Sequence, residues 1–326
     1  MTELFDLPPP SILPAPSSPA HRALAAALPP ALRFGTMSWS YPGWTGLVYG
    51  AQLTKKQLVD VGLTAYAKHP LLRAVELDRG YYEPLDGSLL QSFAAQVPGD
   101  FRFLVKAHEA CTVHTFPEHA RYGKQGGQRN PRYLDAAFAD GEIVAPLVAG
   151  LGAKLGVLLF QFSPDPGDPA DFADRLHGFL RRLPKGVPYA VEVRNSARLN
   201  PAYAAALRDT GVVHCHNAWT TMPSVLAQAR QLPPESRRPL VVRWLLPQGR
   251  SYEDARRRVA PLNRLVDDDL ERRDAIAELV AKAQRHAVPT FVFVDNKAEG
   301  CAPLSIARLA KDIVERLQSP PQAARD

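Results

Sequence analysis

Residues 155–160 read Leu-Gly-Val-Leu-Leu-Phe, an apolar run with no polar face. Such a run is typical of a strand that is buried on both faces of a parallel sheet. Seven other short β-rich runs, most of them equally apolar, lie along the chain at residues 32–37, 74–77, 101–106, 189–193, 212–215, 240–244 and 290–294. Together these runs predict a parallel sheet of eight strands.

Helix-length segments separate the predicted strands. Their patterns predict helices at residues 55–67, 88–96, 133–151, 169–182, 201–208, 224–231 and 303–317. The span 252–286 is too long for one helix and contains Pro261, so we expect two helices there. The second of these is expected to carry Leu262, Val266 and Leu270 at spacings of four.

Eight strands that alternate with helices favour a closed (β/α)₈ TIM barrel over an open doubly wound sheet. The first strand is not followed by a GxGxxG motif, which weakens the dinucleotide-binding alternative. The barrel is expected to occupy residues 31–318 as a single domain. Residues 1–30 are rich in proline and predict an extended or disordered tail, and residues 319–326 predict a flexible C-terminal tail.

The composition is that of a globular protein with one large core. Of the 326 residues, 46% are hydrophobic and 22% are charged, and no apolar run or signal peptide suggests a membrane partner. The three cysteines are far apart and form no CxxC pair, so the sequence predicts no disulfide framework and favours the reducing cytoplasm. The net charge of +6 leaves nucleic acid open as a partner.

In a TIM barrel the functional residues lie just beyond the C-terminal ends of the strands. The candidates at those positions include four that we expect to be catalytic, namely Glu76, Lys106, Glu192 and Arg194. The others are expected to bind substrate, and they are Trp39, Tyr41, Trp44, Asp78, Tyr82, His108, Gln161, His216, Asn217, Arg243, Asp295 and Asn296.

Charged residues inside apolar strands need partners, because burial of an unpaired charge is costly. Glu76, Lys106, Glu192 and Arg243 all interrupt or end such strands. One interpretation is a buried ion-pair network that holds the barrel mouth together. The other is an active site in which the two carboxylates transfer protons, while Lys106, Arg194 and Arg243 hold a small or nucleotide-like anion.

Two further functions remain open at this stage. The imidazoles of His214 and His216 lie on one strand face and, with acidic residues, would suit a divalent metal in a phosphodiesterase. No HxxxH or HExxH spacing supports this metal, and no cofactor is predicted. The aromatic loop with Trp39, Tyr41 and Trp44 is either a stacking platform in a non-catalytic nucleic-acid-binding protein or a hydrophobic lid. GxSxG, Walker and kinase motifs are missing from the sequence, which disfavours serine hydrolases and nucleotide triphosphatases.

Six ordered motifs between about residues 33 and 317 resemble the YecE-like family, domain of unknown function 72. Their main stretches lie at residues 34–41, 75–77, 101–106, 155–161, 191–194 and 295–303. The resemblance implies a (β/α)₈ barrel and no settled activity, although the fold invites comparison with barrel endonucleases and sugar isomerases. Residues 78–82 replace the Asn-Ser-Thr-Phe-Tyr run of the family, and residues 245–249 lack its histidine, so the chain resembles a divergent member.

Overall fold

A closed eight-stranded barrel forms the centre of the structure, a computed structural model that describes residues 12–164 and 169–319. All strands are parallel and pair in chain order, and β8 closes the barrel against β1. The predicted TIM barrel is therefore confirmed. The strands are β1 Leu32–Thr36, β2 Leu72–Leu77, β3 Arg102–Lys106, β4 Leu155–Phe162, β5 Tyr189–Val193, β6 Val213–Ala218, β7 Leu240–Trp244 and β8 Thr290–Val294.

Helices surround the barrel and connect its strands. They are α1 Pro19–Ala27, α2 Lys55–Val61, α3 Leu63–Tyr66, α4 Gly87–Ala95, α5 Ala136–Ala139, α6 Ala145–Leu151, α7 Pro169–Arg182, α8 Pro201–Thr210, α9 Val225–Gln231, α10 Tyr252–Val259, α11 Leu270–Arg285, α12 Asn296–Glu299 and α13 Ala302–Gln318. A π-helical turn, Asp140–Val144, joins α5 to α6.

The inside of the barrel is charged near the C-terminal ends of the strands and apolar in the layers below them. Small or apolar side chains such as Ala74, Leu104, Leu159, Ala190 and Phe293 fill the lower layers. The charged and polar side chains Glu76, Lys106, Gln161, Glu192 and Arg243 lie one inward position further along their strands, because alternate residues of a strand face the same side. The sequence thus builds a dry floor beneath a charged mouth.

At Gly35, β1 lies very close to β2 and to the ring of Phe293. A Cβ atom on Gly35 would lie 2.6 Å from the carbonyl oxygen of Ala74 and 2.7 Å from Cε1 of Phe293. Gly35 therefore lets β1 pass beside the ring of Phe293 without a clash.

The helical run Ala136–Lys154 is long and apolar enough to span a membrane by length and composition. In the structure it belongs to the outer layer of the barrel, where Ala139, Ile143 and Leu147 are buried and α6 packs against α4. A Cβ atom on Gly150 would lie 2.5 Å from Cβ of Leu90, so the two helices touch closely at this glycine. Helix packing accounts for the buried apolar residues of this run, whereas Val148 is 45% exposed.

The proline-rich segment differs from the prediction of a tail over residues 1–30. Ile12 is buried in the core, and Ala15 N–H donates to the Val48 carbonyl at 2.9 Å. Residues 19–27 form α1, which begins with a hydrogen bond from His21 N–H to the Ser18 side chain and packs against α13. The segment gains its order from these contacts with the barrel. Residues 1–11 and 320–326 lie outside the described residues.

Two helix predictions need correction. The helix expected at residues 55–67 is divided into α2 and α3 at Gly62. Leu262 and Val266 lie in the connection before α11 and not on that helix, which begins at Leu270. Leu262 has φ = 70°, a conformation that cannot continue a right-handed helix.

Candidate active site at the barrel mouth

A cavity of about 750 Å³ opens at the C-terminal ends of the strands. We call it the mouth cavity. Nine of the predicted site residues line it: Tyr41, Glu76, Asp78, Tyr82, Lys106, Gln161, Arg194, Arg243 and Asp295. Residues from the ends of most strands therefore meet at one cavity, which is the arrangement expected of a TIM-barrel site.

Arg243 crosses the barrel interior and joins two carboxylates. Its Nε and Nη2 donate to Glu76 at 3.1 and 2.8 Å, and its Nη1 donates to Glu192. The remaining N–H groups point at Gln161 Oε1 and the Met37 sulfur, each at 3.4 Å. Every N–H group of this guanidinium thus has an acceptor in the protein.

Glu192 is fully buried and held by two arginines. Arg194 Nε donates to its Oε1 at 2.8 Å, while Arg243 binds its Oε2. Burial raises the pKa of Glu192, but the nearby charges of Arg243 and Arg194 outweigh it and lower the pKa to about 2. The carboxylate lies beneath these side chains and is not part of the cavity lining. It therefore stays ionised at neutral pH and positions the two arginines.

Glu76 has the opposite electrostatic balance. It is 1% exposed and lines the mouth cavity. Burial raises its pKa to about 7, although the charge of Arg243 acts against this. A carboxyl group with this pKa exchanges protons near neutral pH.

Three cations of the cavity share one arrangement, in which a carboxylate and an aromatic ring both contact the positive charge. Lys106 Nζ lies 2.9 Å from Asp78 and 3.9 Å from the centre of the Tyr81 ring. Arg194, whose Nε binds Glu192, lies 4.0 Å from the Trp219 ring and also donates to Gln161 at 2.8 Å.

The third of these cations is Lys297. Its ammonium group lies 2.8 Å from Asp295 and 4.7 Å from the centre of the Tyr252 ring. All three cations therefore sit in neutralised, partly apolar surroundings.

The aromatic loop after β1 is mostly core. Trp44 is fully buried, and Trp39 donates its Nε1–H to the Leu58 carbonyl at 2.7 Å and packs edge-on against Phe93. Of the three aromatic residues predicted to bind substrate here, Tyr41 lines the mouth cavity and the two tryptophans do not. The two tryptophans are thus not a stacking platform, because the helix layer buries their indole rings.

Three other predicted residues lie beside the cavity and not in its lining. His108 caps a 3₁₀ turn by accepting from Ala110 N–H at 3.0 Å. Asn217 donates to the Val193 carbonyl at 3.1 Å, and Asn296 accepts from Ala302 N–H at 2.8 Å. These side chains bind the backbone.

His214 and His216 lie on the outer side of β6, with ring centres 4.9 Å apart. His214 lies between Tyr203 and Gln228, at 3.0 and 3.1 Å, and His216 Nε2 donates to the Leu232 carbonyl at 3.2 Å. Burial lowers the pKa of His214 to about 4 and that of His216 to about 3, so both are neutral. His216 is therefore not a residue of the mouth cavity, contrary to the prediction.

The described residues contain no group of three or more His, Cys, Asp or Glu side chains that could hold a metal ion. The metal hypothesis combined the two imidazoles with the mouth carboxylates. Since the imidazoles face the helices and the carboxylates face inward, the proposed ligands lie on opposite sides of the strands.

The lining also contains residues that the prediction omitted. They include Tyr81, Ser163, Trp219, Tyr252 and Lys297. Trp219 directly follows the last residue of β6, and Lys297 lies three residues beyond β8, so their distance from a strand end could have identified them. Tyr252 begins a helix after a long loop, and no sequence signal places it at the mouth.

Comparison with known proteins identifies the family. The model of "Protein of unknown function DUF72" matches residues 33–325. The chain belongs to the DUF72 family. This confirms the family resemblance that the six sequence motifs indicated. The family description assigns no activity.

Solved structures of other DUF72 proteins share the fold. A family member from Thermotoga maritima is 19% identical, with a TM-score of 0.58 over 86% of this chain and 98% of that one. One from Enterococcus faecalis is 17% identical, with a TM-score of 0.57 over 89% of this chain and 97% of that one. Among proteins of curated function, none matches this DUF72 chain.

Proposed function

We propose that this DUF72 protein is an enzyme in which Glu76 transfers a proton to or from a small or nucleotide-like anionic substrate in the mouth cavity. The observation that carries the proposal is the burial of Glu76 together with its raised pKa. It is a buried carboxyl group with a pKa of about 7 at the base of a solvent-reachable cavity. Strongly shifted carboxyl groups in clefts are frequent at active sites, because proton transfer is fastest when the pKa lies near the working pH.

Lys106 and Arg194 are the residues proposed to hold the anion. The ammonium group of Lys106 has three N–H donors, and it contacts one carboxylate, Asp78, whose side chain is 43% exposed. A substrate anion can therefore share Lys106 with Asp78. Arg194 lies at the cavity wall and bonds through Nε and Nη2, which leaves donors of its fork for a ligand.

The size and lining of the cavity suit such a substrate. Its volume of about 750 Å³ lies within the range of small-molecule sites. Tyr41, Tyr82, Trp219 and Tyr252 give it aromatic walls that can pack against a base or a sugar ring. Arg243 and Glu192, whose polar atoms are engaged within the protein, are proposed to position the reacting groups.

The two other functions have less support in the geometry. A metal-dependent phosphodiesterase would need ligands that converge, and the imidazoles it invoked face away from the mouth. A non-catalytic nucleic-acid-binding protein would need an exposed stacking surface, and Trp39 and Trp44 are buried. Neither proposal gains an observation that favours it.

A ligand screen followed by a binding and turnover comparison tests the proposal. Small phosphates, sulfates and carboxylates are screened for a rise in the melting temperature at pH 6, and each hit is then incubated with the protein and analysed for product by mass spectrometry. We expect that K106M combined with R194M abolishes the rise. E76Q should retain binding and lose turnover.

The matched control is E315Q, which changes an exposed glutamate on α13 and should behave as the wild type. The proposal is wrong if no anion stabilises the wild type, or if E76Q converts a hit at the wild-type rate.

A further inference from the structure

The six charges at the base of the mouth cavity balance when every acid and base is ionised, whereas Lys55 and Arg79 are exposed cations of its rim. Arg243 binds Glu76 and Glu192, Arg194 binds Glu192, and Lys106 binds Asp78. Three cations thus face three carboxylates, and Asp295 with Lys297 adds one more neutral pair. An uncompensated charge in such a buried cluster is costly, so the cluster resists any change in its net charge.

An entering anion disturbs this balance. Lys106 and Arg194 can bind it only while they continue to neutralise Asp78 and Glu192, so the cluster would then hold one negative charge too many. Either a carboxylate must leave the cluster or one of its groups must take up a proton. Glu192 cannot leave, because it is fully buried and held by two guanidinium groups. Asp78 is 43% exposed and would leave only by breaking its 2.9 Å contact with Lys106, in which case the anion would bind without proton uptake.

We propose that the substrate anion enters together with one proton, which Glu76 takes up, so that the occupied site holds Glu76 as a carboxylic acid. This inference rests on the proposed function and assigns Glu76 the role of a general acid. In the proton-transfer step the O–H bond of Glu76 breaks and the proton bonds to a lone pair of a substrate heteroatom. The carboxylate that results is stabilised by both N–H donors that Arg243 already directs at it.

The groups that surround Glu76 leave it as the proton acceptor. Arg243 on β7 is already fully protonated, and its N–H groups all have acceptors. The charges of Arg243 and Arg194 hold the pKa of Glu192 on β5 at about 2, against the effect of burial. Burial raises the pKa of Asp78, which follows β2, but the ammonium group of Lys106 and the nearby guanidinium groups outweigh this effect and lower the pKa. Neither carboxylate takes up a proton near neutral pH.

The remaining neighbours are already protonated or uncharged. Burial raises the pKa of Tyr41 after β1 and of Cys215 on β6 well above neutral, so both keep their protons. Gln161 on β4 does not titrate, and Asp295 after β8 is paired with Lys297. Lys106 on β3 is the one competitor among these described neighbours, because burial lowers its pKa and a neutral Lys106 would also take up a proton.

Calorimetric titration with methyl sulfate tests the inference, because this sulfate carries one negative charge, which does not change between pH 6 and pH 9. Repeating the titration in two buffers of different ionisation enthalpy gives the number of protons taken up. For the wild type we expect about one proton per methyl sulfate above pH 7, and an affinity that falls about tenfold per pH unit there. E76Q should bind without proton uptake and with an affinity independent of pH. The exposed control E315Q should match the wild type.

The outcomes separate this inference from the proposed function. No methyl sulfate binding by the wild type at either pH 6 or pH 8 overturns both. Binding without proton uptake, or uptake that persists in E76Q, overturns the inference and leaves the anion site intact; the second result assigns the proton to Lys106. If E76Q does not fold, carbon-13 NMR of the wild type with labelled glutamate takes its place: one carboxyl signal should titrate near pH 7 and shift to higher pH with methyl sulfate. A signal that methyl sulfate leaves in place overturns the inference.

Discussion

Arg243 binds both carboxylate oxygens of Glu76, at 3.1 and 2.8 Å, although the two residues lie on strands that are not neighbours in the barrel. The ion pair therefore spans the interior. Since Arg243 also binds Glu192, it ties β2, β5 and β7 together at the mouth. The two interpretations of these charges are thus compatible: an ion-pair network forms one wall of the cavity in which chemistry is proposed.

Replacement of Arg243 should destabilise the barrel strongly. R243M keeps much of the side-chain volume but leaves two buried carboxylates without their common partner. Loss of one partner of a buried ion pair costs about 3–5 kcal/mol. Urea unfolding followed by circular dichroism measures the change in the free energy of unfolding.

The control is K55M, which removes an exposed cation from the cavity rim and should change stability by less than about 0.5 kcal/mol. Addition of E76Q to R243M should restore part of the loss. An R243M variant as stable as the wild type would show that the bridge contributes nothing.

Gly35 should tolerate no side chain. In G35A the new methyl group would lie 2.6 Å from a backbone oxygen of β2, which cannot turn away. We expect a loss of about 1–3 kcal/mol, typical of overpacking. A Cβ atom added to Gly87, at the start of α4, would meet no other atom within 4 Å, so G87A should leave thermal stability unchanged or slightly higher. Equal melting temperatures for the two variants would contradict the close approach of β1 to β2.

The sequence was sufficient to predict the barrel because most of its strands are apolar on both faces and its helices are not. All eight strands lie within a few residues of their predicted positions. The predicted strand positions put Glu76, Lys106 and Arg243 at or near strand ends, and the structure brings them together at one cavity.

The partners of these charges could not be predicted, because they lie on distant parts of the chain. The period of a strand shows that His214 and His216 share a face, but it does not show which face points inward. The inward side chain is that of Cys215, whose Sγ lies 3.8 Å from Glu192. A strand with polar residues on both faces leaves this choice to tertiary packing.

The N-terminal segment offers a test of the part of the fold that the sequence did not predict. Ile12 is 8% exposed and packs in the core, whereas its neighbour Leu13 is 72% exposed. I12A should lower the free energy of unfolding by about 2 kcal/mol, as is usual for a truncated core residue, and L13A by less than about 0.5 kcal/mol. Equal effects in denaturant titrations would mean that the segment does not dock on the barrel.

The two mouth glutamates should give opposite pH dependences of stability. The pKa of Glu192 is lowered from 4.5 to about 2 in the folded protein, so its contribution is complete above pH 4.5 and is lost as the pH falls towards 2. E192Q should remove that contribution, and the wild type should be more stable than E192Q by a margin that shrinks below pH 4.5.

Glu76 follows the reverse course, because its pKa is raised from 4.5 to about 7. Between these values the folded protein binds the extra proton, so stability decreases as the pH rises from 4.5 to 7 and then levels off. The size of this decrease is on the order of 3 kcal/mol. E76Q mimics the protonated group and should lack it, so the wild type should lose stability relative to E76Q as the pH is raised. Urea unfolding of the wild type, E76Q and E192Q at pH 3, 5 and 8 measures both trends. If E76Q and the wild type instead diverge below pH 4.5 and run in parallel above it, Glu76 is an ordinary ionised partner of Arg243, and its assignment as the proton-transfer group fails.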